Sequence, residues 1–479
     1  MMYFLARIIV FLLCIIACFM LIPLAFAIYF SEVDVYLSFI IPIAFCFLLG
    51  LLAFFFKAKK KQRLPMRLGF LVVALSWLFS CLLGSIPFMI SGYIPSFFDA
   101  FFESVSGFTT TGASILSSVE ALPFSLNIWR AEMHWLGGMG IVAITVALMP
   151  LLGIGGFQLI KAETTGPDKG KITPKIRETA KKLWIFYVIL TFLQVILLLF
   201  AKMSFTEAVF HSFATLGTGG FSMKNSGLAS YSASAQWICT VFMILAGVNF
   251  SLYFLLWNKK RQELLKNTEC KVYFFIIFIA SFFVFLSIYP LYGKIEEALR
   301  HAFFQVASIL TTTGFATSDF TLWPGAAQSL LFFLMFIGGS SGSTAGGIKV
   351  VRWTVLFKQA TNEIKKMLHP HGVYTIRLNQ KAGRKDLVFS VSAFVFLYFI
   401  LVAISTVIAS RDGVDLLSSF TASLSMVGNI GPGFGLLGPA GNYGFFSNTT
   451  KLWFSFAMLA GRLELYTLLI YFSPAFWKK

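Results

Sequence analysis

The chain has 479 residues, 58% hydrophobic and only 12% charged, where an ordinary soluble domain carries roughly 25% charged residues. With a mean hydropathy of +0.82 and 57 Phe, it cannot be wrapped into a water-facing surface, which excludes a soluble multi-domain enzyme, a disordered chain and a secreted disulfide scaffold. The net charge of +18 sits in short Lys/Arg clusters between apolar runs, the pattern of positive-inside topology, so the expected partner is the lipid bilayer and not nucleic acid.

A membrane span needs about 20 apolar residues. Residues 5–30 and 36–56 make the first two candidates, joined by an acidic turn at 31–34. The first apolar run is too long for a cleaved signal peptide and reads as a retained helix. The segment 57–67 follows with six basic residues, which predicts a cytoplasmic loop and a cytoplasmic N-terminus. Further apolar runs cover 68–92, 129–152, 184–201, 236–257, 272–292, 327–357, 386–409 and 451–472. The connections 161–182, 258–271 and 358–385 carry seven, five and seven basic residues, and should be cytoplasmic. The connections 93–128, 202–235, 293–326 and 410–450 are less basic and hold Asp99, Glu103, Glu120, Glu207, Glu296, Glu297, Asp319, Asp412 and Asp415. They should face outside, where these carboxylates would raise the local cation concentration. Ten spans then alternate consistently, with a cytoplasmic C-terminus. Cys14, Cys18, Cys46, Cys81, Cys239 and Cys270 form no CxxC pair and read as small hydrophobes.

The four outside connections align without a gap: AFFESVSGFTTTGAS (100–114), AVFHSFATLGTGGFS (208–222), AFFQVASILTTTGFA (302–316) and SFTASLSMVGNIGPG (419–433). Gly112, Gly220, Gly314 and Gly431 fall in register, each two residues after Thr110, Thr218, Thr312 or Asn429. Each copy begins with a stretch too short to span, which suits a re-entrant half-helix. A Thr/Gly-rich segment then follows, which is a poor helix former. Irregular backbone at membrane depth is tolerated where it lines a water-filled cavity or is buried in protein. The expected fold is therefore an all-α polytopic membrane protein. Four pseudo-symmetric span–half-helix–loop–span repeats surround one pore, and two further transmembrane helices precede them. The expected boundaries are 1–60 for the two N-terminal helices and 61–165, 166–262, 263–375 and 376–479 for the repeats. A ring of backbone carbonyls can replace the hydration shell of a monovalent cation, and a glycine can hold the dihedrals that aim such a carbonyl. Small-residue packing faces are the competing explanation, but four copies in register between spans favour a pore.

The signatures FTTTGAS, TLGTGGFS, LTTTGFAT and GNIGPGFG make the chain resemble the Trk/Ktr/HKT superfamily of potassium uptake proteins, over essentially its whole length. Within it the two extra N-terminal helices look like the TrkH/TrkG type of membrane subunit. The resemblance implies potassium as the substrate. It implies a selectivity filter built from Thr110, Thr111 and Gly112; Thr218, Gly219 and Gly220; Thr312, Thr313 and Gly314; and Asn429, Ile430 and Gly431. Relatives with serine at the first glycine favour sodium, so Gly112 implies potassium. The fourth copy departs most, with Asn429 and Ile430 in place of two threonines.

Two further features gain meaning from the resemblance. The run FIGGSSGSTAGGIK (336–349) argues for a helix break in mid-membrane, since Gly costs about 1 kcal/mol per residue in a helix; a close helix–helix contact is the alternative. The resemblance implies a gate loop containing Gly338, Gly339, Ser340, Gly342, Ser343, Gly346 and Gly347, with Lys349 at its inner end. Arg462 lies near the middle of the last span, where a charge faces a cavity or a partner. Glu464 is two residues on and badly placed for a direct pair. The resemblance makes Arg462 part of the constriction; the alternative is a structural arginine satisfied by neighbouring repeats. Arg130, Glu132 and His134 are expected to anchor a helix and form ion pairs rather than relay protons. His211 should support its half-helix, and the HPHG run (369–372) reads as a surface turn rather than a metal site.

No Walker A motif and no glycine fingerprint set between a strand and a helix is present, so nucleotide control belongs to another protein. The resemblance implies a cytoplasmic TrkA-type ring binding NAD(H) or ATP/ADP, docked on loops 161–182 and 358–385, and a homodimer in the bacterial inner membrane. No cofactor is expected on this chain. A sodium- or proton-coupled symporter of the same fold is the main alternative, with a sodium-permeable transporter, an organic-solute carrier and a membrane enzyme behind it.

Overall fold

A computed structural model describes residues 2–55, 66–140, 176–257, 261–379, 381–382 and 386–477. Among the described residues the regular structure is helical apart from a hairpin pairing β1 (Arg377–Leu378) with β2 (Lys381–Ala382). It begins with α1 (Met2–Phe19) and α2 (Leu21–Tyr29), which together form one long apolar span, and α3 (Tyr36–Phe55). α4 (Met66–Ile90), α5 (Phe97–Phe108) and α6 (Phe124–Gly138) follow. Next come α7 (Ile176–Phe200), α8 (Phe205–Leu216), α9 (Ala233–Ala246) and α10 (Phe250–Trp257). The third set is α11 (Thr268–Tyr292), α12 (Ile295–Leu310), α13 (Gly325–Leu334) and α14 (Val350–Leu368). The last set is α15 (Asp386–Ser410), α16 (Leu416–Gly428), α17 (Asn448–Arg462) and α18 (Leu465–Leu469).

Six described helices are long and apolar enough to cross a membrane, or eight with two bent pairs counted as spans. The chain is a multi-pass membrane protein. The outward faces of its spans carry Phe, Leu and Ile in contact with the surroundings, such as Phe192, Phe275 and Phe396, as lipid-facing helices require.

Not every expected span is one helix. Run 236–257 is α9 and α10, bent by 89°, and run 451–472 bends by 117° after α17. The first break falls at 247–249, where Gly247 gives its carbonyl to the Ser340 N–H at 2.9 Å and the Phe250 N–H bonds the Gly342 carbonyl at 3.0 Å. The second falls at Leu463 and Glu464, the latter with φ +59. Run 327–357 is broken as expected, with no helix between α13 and α14. The end of run 129–152 and the loop 161–175 lie outside the described residues.

Short helices α5, α8, α12 and α16 each pack on the long span before them. Side-chain caps start three of them: Ser96 accepts from the Asp99 N–H, Ser204 and Glu207 form a capping box, and Asp415 accepts from the Ser418 N–H. These caps satisfy N–H groups that a helix start leaves open. The inner helix of each set also meets the short helix of the next: α6 packs on α8, and α9 on α12. Phe332 of α13 faces Phe420 of α16 at 6.2 Å between ring centres. α17 then returns to α5, where Lys451 pairs with Asp99 at 2.5 Å. The four sets thus close on themselves.

Candidate ion pathway

The short helices end in one shared way. Thr110, Thr218, Thr312 and Asn429 adopt left-handed backbone with φ between +54 and +57. Each terminus carries two Schellman-type bonds. Thr110 N–H bonds the Gly107 carbonyl at 3.0 Å and Thr111 N–H the Ser106 carbonyl at 2.9 Å. Matching pairs link Thr218 with Thr215 and Gly219 with Ala214, Thr312 with Ile309 and Thr313 with Ser308, and Asn429 with Met426 and Ile430 with Ser425. Glycine is the usual residue for this cap. A non-glycine residue held in left-handed backbone costs about 1–3 kcal/mol, so three β-branched threonines in this state mark a strained segment held in place by its surroundings.

Two residues later Gly112, Gly220, Gly314 and Gly431 again have positive φ, from +76 to +101. A Cβ on Gly112 would lie 1.9 Å from the Gly219 carbonyl oxygen. One on Gly220 would lie 1.9 Å from the Thr313 oxygen, one on Gly314 2.2 Å from the Ile430 oxygen, and one on Gly431 2.7 Å from the Thr111 oxygen. Each of these oxygens belongs to the residue just before another glycine of the same set. The chain of contacts runs from copy one to two, three, four and back to one. Glycine serves here for close approach between copies as well as for dihedral freedom.

The left-handed side chains have separate roles. Thr312 Oγ1 accepts from the Gly346 N–H at 2.6 Å. Asn429 donates to Thr111 Oγ1 and to the Met458 carbonyl, both at 3.0 Å. Thr218 donates to the Gly217 carbonyl at 2.6 Å. Thr110, Thr218, Thr312 and Asn429 are fully buried.

Behind the first copy, Glu103 and Arg130 form a buried ion pair at 2.8 Å. Glu103 also accepts from Ser114 and the Ile115 N–H at 3.0 Å, and the Arg130 guanidinium stacks 4.0 Å above Phe221. The ion-pair expectation for Arg130 therefore holds, but Glu103 is not a cation attractor at the surface. Nor are several other outer carboxylates free for that task. Asp99 pairs with Lys451 and Glu296 with Arg300 at 3.0 Å, whereas Asp412 accepts from the Ser447 N–H at 2.9 Å and keeps its charge. Glu207 caps α8; burial raises its pKa, but the Ser204 bonds, the Tyr231 hydroxyl and Lys224 outweigh this and hold it below the usual carboxylate value.

His211 takes the corresponding place in the second copy, 2.8 Å from the Glu207 carbonyl and 3.3 Å from Ser222 Oγ. The His134 ring stacks on Phe221 at 4.2 Å and lies behind Gly219, whose Cβ would meet it at 2.2 Å. Glu132 is buried, with no hydrogen-bond partner for its carboxylate among the described residues. His369–Gly372 form an exposed turn, with the Gly372 N–H on the His369 carbonyl at 2.9 Å. Among the described residues no three His, Cys, Asp or Glu are grouped to hold a metal ion.

The glycine-rich segment 338–349 packs against the ring. Its neck closes on itself, with the Gly338 N–H on the Ile348 carbonyl at 2.9 Å and the Val350 N–H on the Gly339 carbonyl at 3.2 Å. A Cβ on Gly346 would sit 2.5 Å from the Gly428 carbonyl oxygen. Ser343 donates to the Ser340 carbonyl, and Lys349 to the Ala345 carbonyl. Gly342 and Gly347 take positive φ. Arg462 donates to the Thr344 carbonyl at 2.6 Å and to the Gly137 and Gly138 carbonyls at 2.6 and 3.1 Å. It spans from this segment to the end of α6. Glu464 turns away to an ion pair with Arg352. Lys358, Lys365 and Arg377 line an open cleft of about 270 Å³ beside the hairpin.

A family model described as TrkH, cation transport protein, matches residues 37–479. The chain is 36% identical over 464 residues to the Trk system potassium uptake protein TrkH of Halomonas elongata, covering 95% of each. It is 39% identical over 436 residues to the protein of that name from Escherichia coli K12, covering 88% of each. The crystal structure of the potassium transporter TrkH from Vibrio parahaemolyticus superposes with a TM-score of 0.88 at 34% identity, covering 100% of both chains.

Proposed function

The chain belongs to the TrkH family of cation transport proteins, and we propose that it carries potassium into the cell through the ring of four glycine segments. It is a transporter and not an enzyme. Potassium sheds water against backbone carbonyls at Thr110, Thr111 and Gly112; Thr218, Gly219 and Gly220; Thr312, Thr313 and Gly314; and Asn429, Ile430 and Gly431, which together replace its hydration shell. The closed cycle of glycine-to-carbonyl contacts carries this reading, because a packing face has no reason to repeat four times and return to its start. The strained left-handed caps support it, since strain of this kind gathers at functional sites.

Segment 338–349, including Gly338, Gly339, Ser340, Gly342, Ser343, Gly346 and Gly347, closes the path inside the ring. Lys349 and Arg462 hold it there, Arg462 through its bonds to Thr344 and α6. An inside-negative potential contributes about 2.3 kcal/mol per charge per 100 mV, so influx needs no ATP hydrolysis on this chain. The termini are cytoplasmic, the membrane is the bacterial inner membrane, and the working form is a homodimer. A TrkA-type nucleotide-binding ring docks at the basic cytoplasmic connections, of which the Lys358–Lys365–Arg377 cleft is one surface.

The test is rubidium influx in a host lacking its own potassium uptake, with the TrkA-type partner supplied. Wild type should transport, and Gly112→Ser should lose discrimination against sodium, because its Cβ forces the ring open at Gly219. Absence of influx in the wild type overturns the potassium reading. Unchanged selectivity in a folded Gly112→Ser protein removes Gly112 from the filter.

A further inference from the structure

We infer that Glu269 is the positioning residue that latches the glycine-rich segment to the helix leaving it; this rests on the reading of 338–349 as the closure. Glu269 lies in the first turn of α11, a separate span. Its Oε1 accepts the Ser341 N–H at 2.6 Å and the Val351 N–H at 3.2 Å. Ser341 lies inside the segment near its entry and Val351 just past its exit, ten positions apart in the chain but held on one oxygen. One carboxylate therefore ties both limbs to a third element.

The need for it is visible in α14. A helix start leaves four N–H groups without intrahelical partners. The residue before α14 is Lys349, whose side chain gives no capping bond and turns instead to the Ala345 carbonyl. Val351 is the second residue of α14, and its N–H is one of those open groups. Glu269 fills the capping role from across the fold. A carboxylate also suits the partial positive charge at a helix N-terminus.

The consequence is mechanical. α14 runs from the neck out to Lys365, which lines the surface cleft with Arg377. A partner that displaces α14 from that end strains the Val351–Glu269 bond, and the same carboxylate then releases Ser341. Glu269 thus couples movement of α14 to opening of the segment.

The experiment uses the full-length protein with Glu269→Ala and Glu269→Gln. Hydrogen exchange is followed by mass spectrometry on peptides covering 338–352, with peptides of the ring segments as internal controls, and rubidium influx is measured without the soluble partner. Glu269→Ala should speed exchange at the neck roughly ten-fold, as expected for the loss of charge-assisted bonds, leave the ring peptides unchanged, and raise partner-independent influx. Glu269→Gln retains an acceptor oxygen and should fall between it and wild type. Unchanged exchange at the neck in Glu269→Ala overturns the latch. If Glu269→Ala does not fold, unchanged exchange in Glu269→Gln overturns it. Faster exchange with no rise in influx keeps the latch but shows that the segment is not the barrier, which overturns the closure reading instead.

Discussion

Thr312 Oγ1 and the Gly346 N–H are 2.6 Å apart, so a strained residue of the ring and the glycine-rich segment share one hydrogen bond. Thr312 is both the left-handed cap of α12 and the acceptor for the segment. Opening the segment leaves a buried N–H without a partner unless water replaces Thr312, and an unmet buried donor costs about 1–3 kcal/mol. Thr312→Val keeps the β-branched shape and the backbone strain but removes the acceptor. It should raise basal rubidium influx several-fold, while Thr312→Ser stays near wild type. If instead Thr312→Val stays near wild type and Thr312→Ser rises, shape and not the bond matters at this position, and equal influx in both would refute the role of the bond.

The ring contacts are unequal, and the inequality is testable. Alanine at Gly112 or Gly220 places a Cβ 1.9 Å from a carbonyl oxygen, at Gly314 2.2 Å and at Gly431 2.7 Å. All four also force alanine into positive φ. Potassium influx should fall in the order Gly431→Ala, Gly314→Ala, then Gly112→Ala and Gly220→Ala, the last two lowest. Gly325→Ala, with nothing within 4 Å of its Cβ, serves as the neutral control. A flat series measured by rubidium influx at matched expression would refute the unequal ring.

Arg462 reaches two elements at once because its guanidinium is a fork with several donors. Thr344 lies on one side and Gly137 with Gly138 on the other. A lysine ammonium is a compact point charge and cannot bridge both. Arg462→Lys should therefore raise basal influx although the charge is kept, and Arg462→Ala should raise it further. Influx in Arg462→Lys that matches wild type would mean that charge alone sets the barrier.

The four glycine segments were legible because their glycines fall in one register between apolar runs, and each of the four glycines lies against a carbonyl of another segment. The break at 336–349 was legible from glycine content. The bends after Ala246 and Arg462 were not. Hydropathy measures how apolar a run is, and both runs are apolar throughout. The first break depends on bonds from Gly247 and Phe250 to residues near 340, which no local window contains. Glu103 was visible only as a carboxylate outside the spans. Its pairing with Arg130, 27 positions away, follows from how α5 lies on α6. The aligned segments set Glu103 in register with His211 and Gln305, and all three are buried polar side chains.

The two ion pairs that brace the first copy should differ sharply in stability. Glu103 and Arg130 have side chains 0% and 1% exposed, whereas Asp99 is 25% exposed in its pair with Lys451. Removing one member of a buried pair strands the other charge and costs about 3–5 kcal/mol. Water reaches Asp99 and screens its pair, and Asn at that position leaves Lys451, itself only 6% exposed, its bond to the Gly444 carbonyl, so the loss is smaller. Glu103→Ala should therefore lower the unfolding temperature in detergent far more than Asp99→Asn. The double variant Glu103→Ala with Arg130→Met should recover part of the loss, because no charge is left stranded. If the double variant is less stable than Glu103→Ala alone, Arg130 contributes through its stacking on Phe221 more than through the carboxylate. The ring of the second copy, which holds Phe221 next to Gly220, would then depend on Arg130 directly.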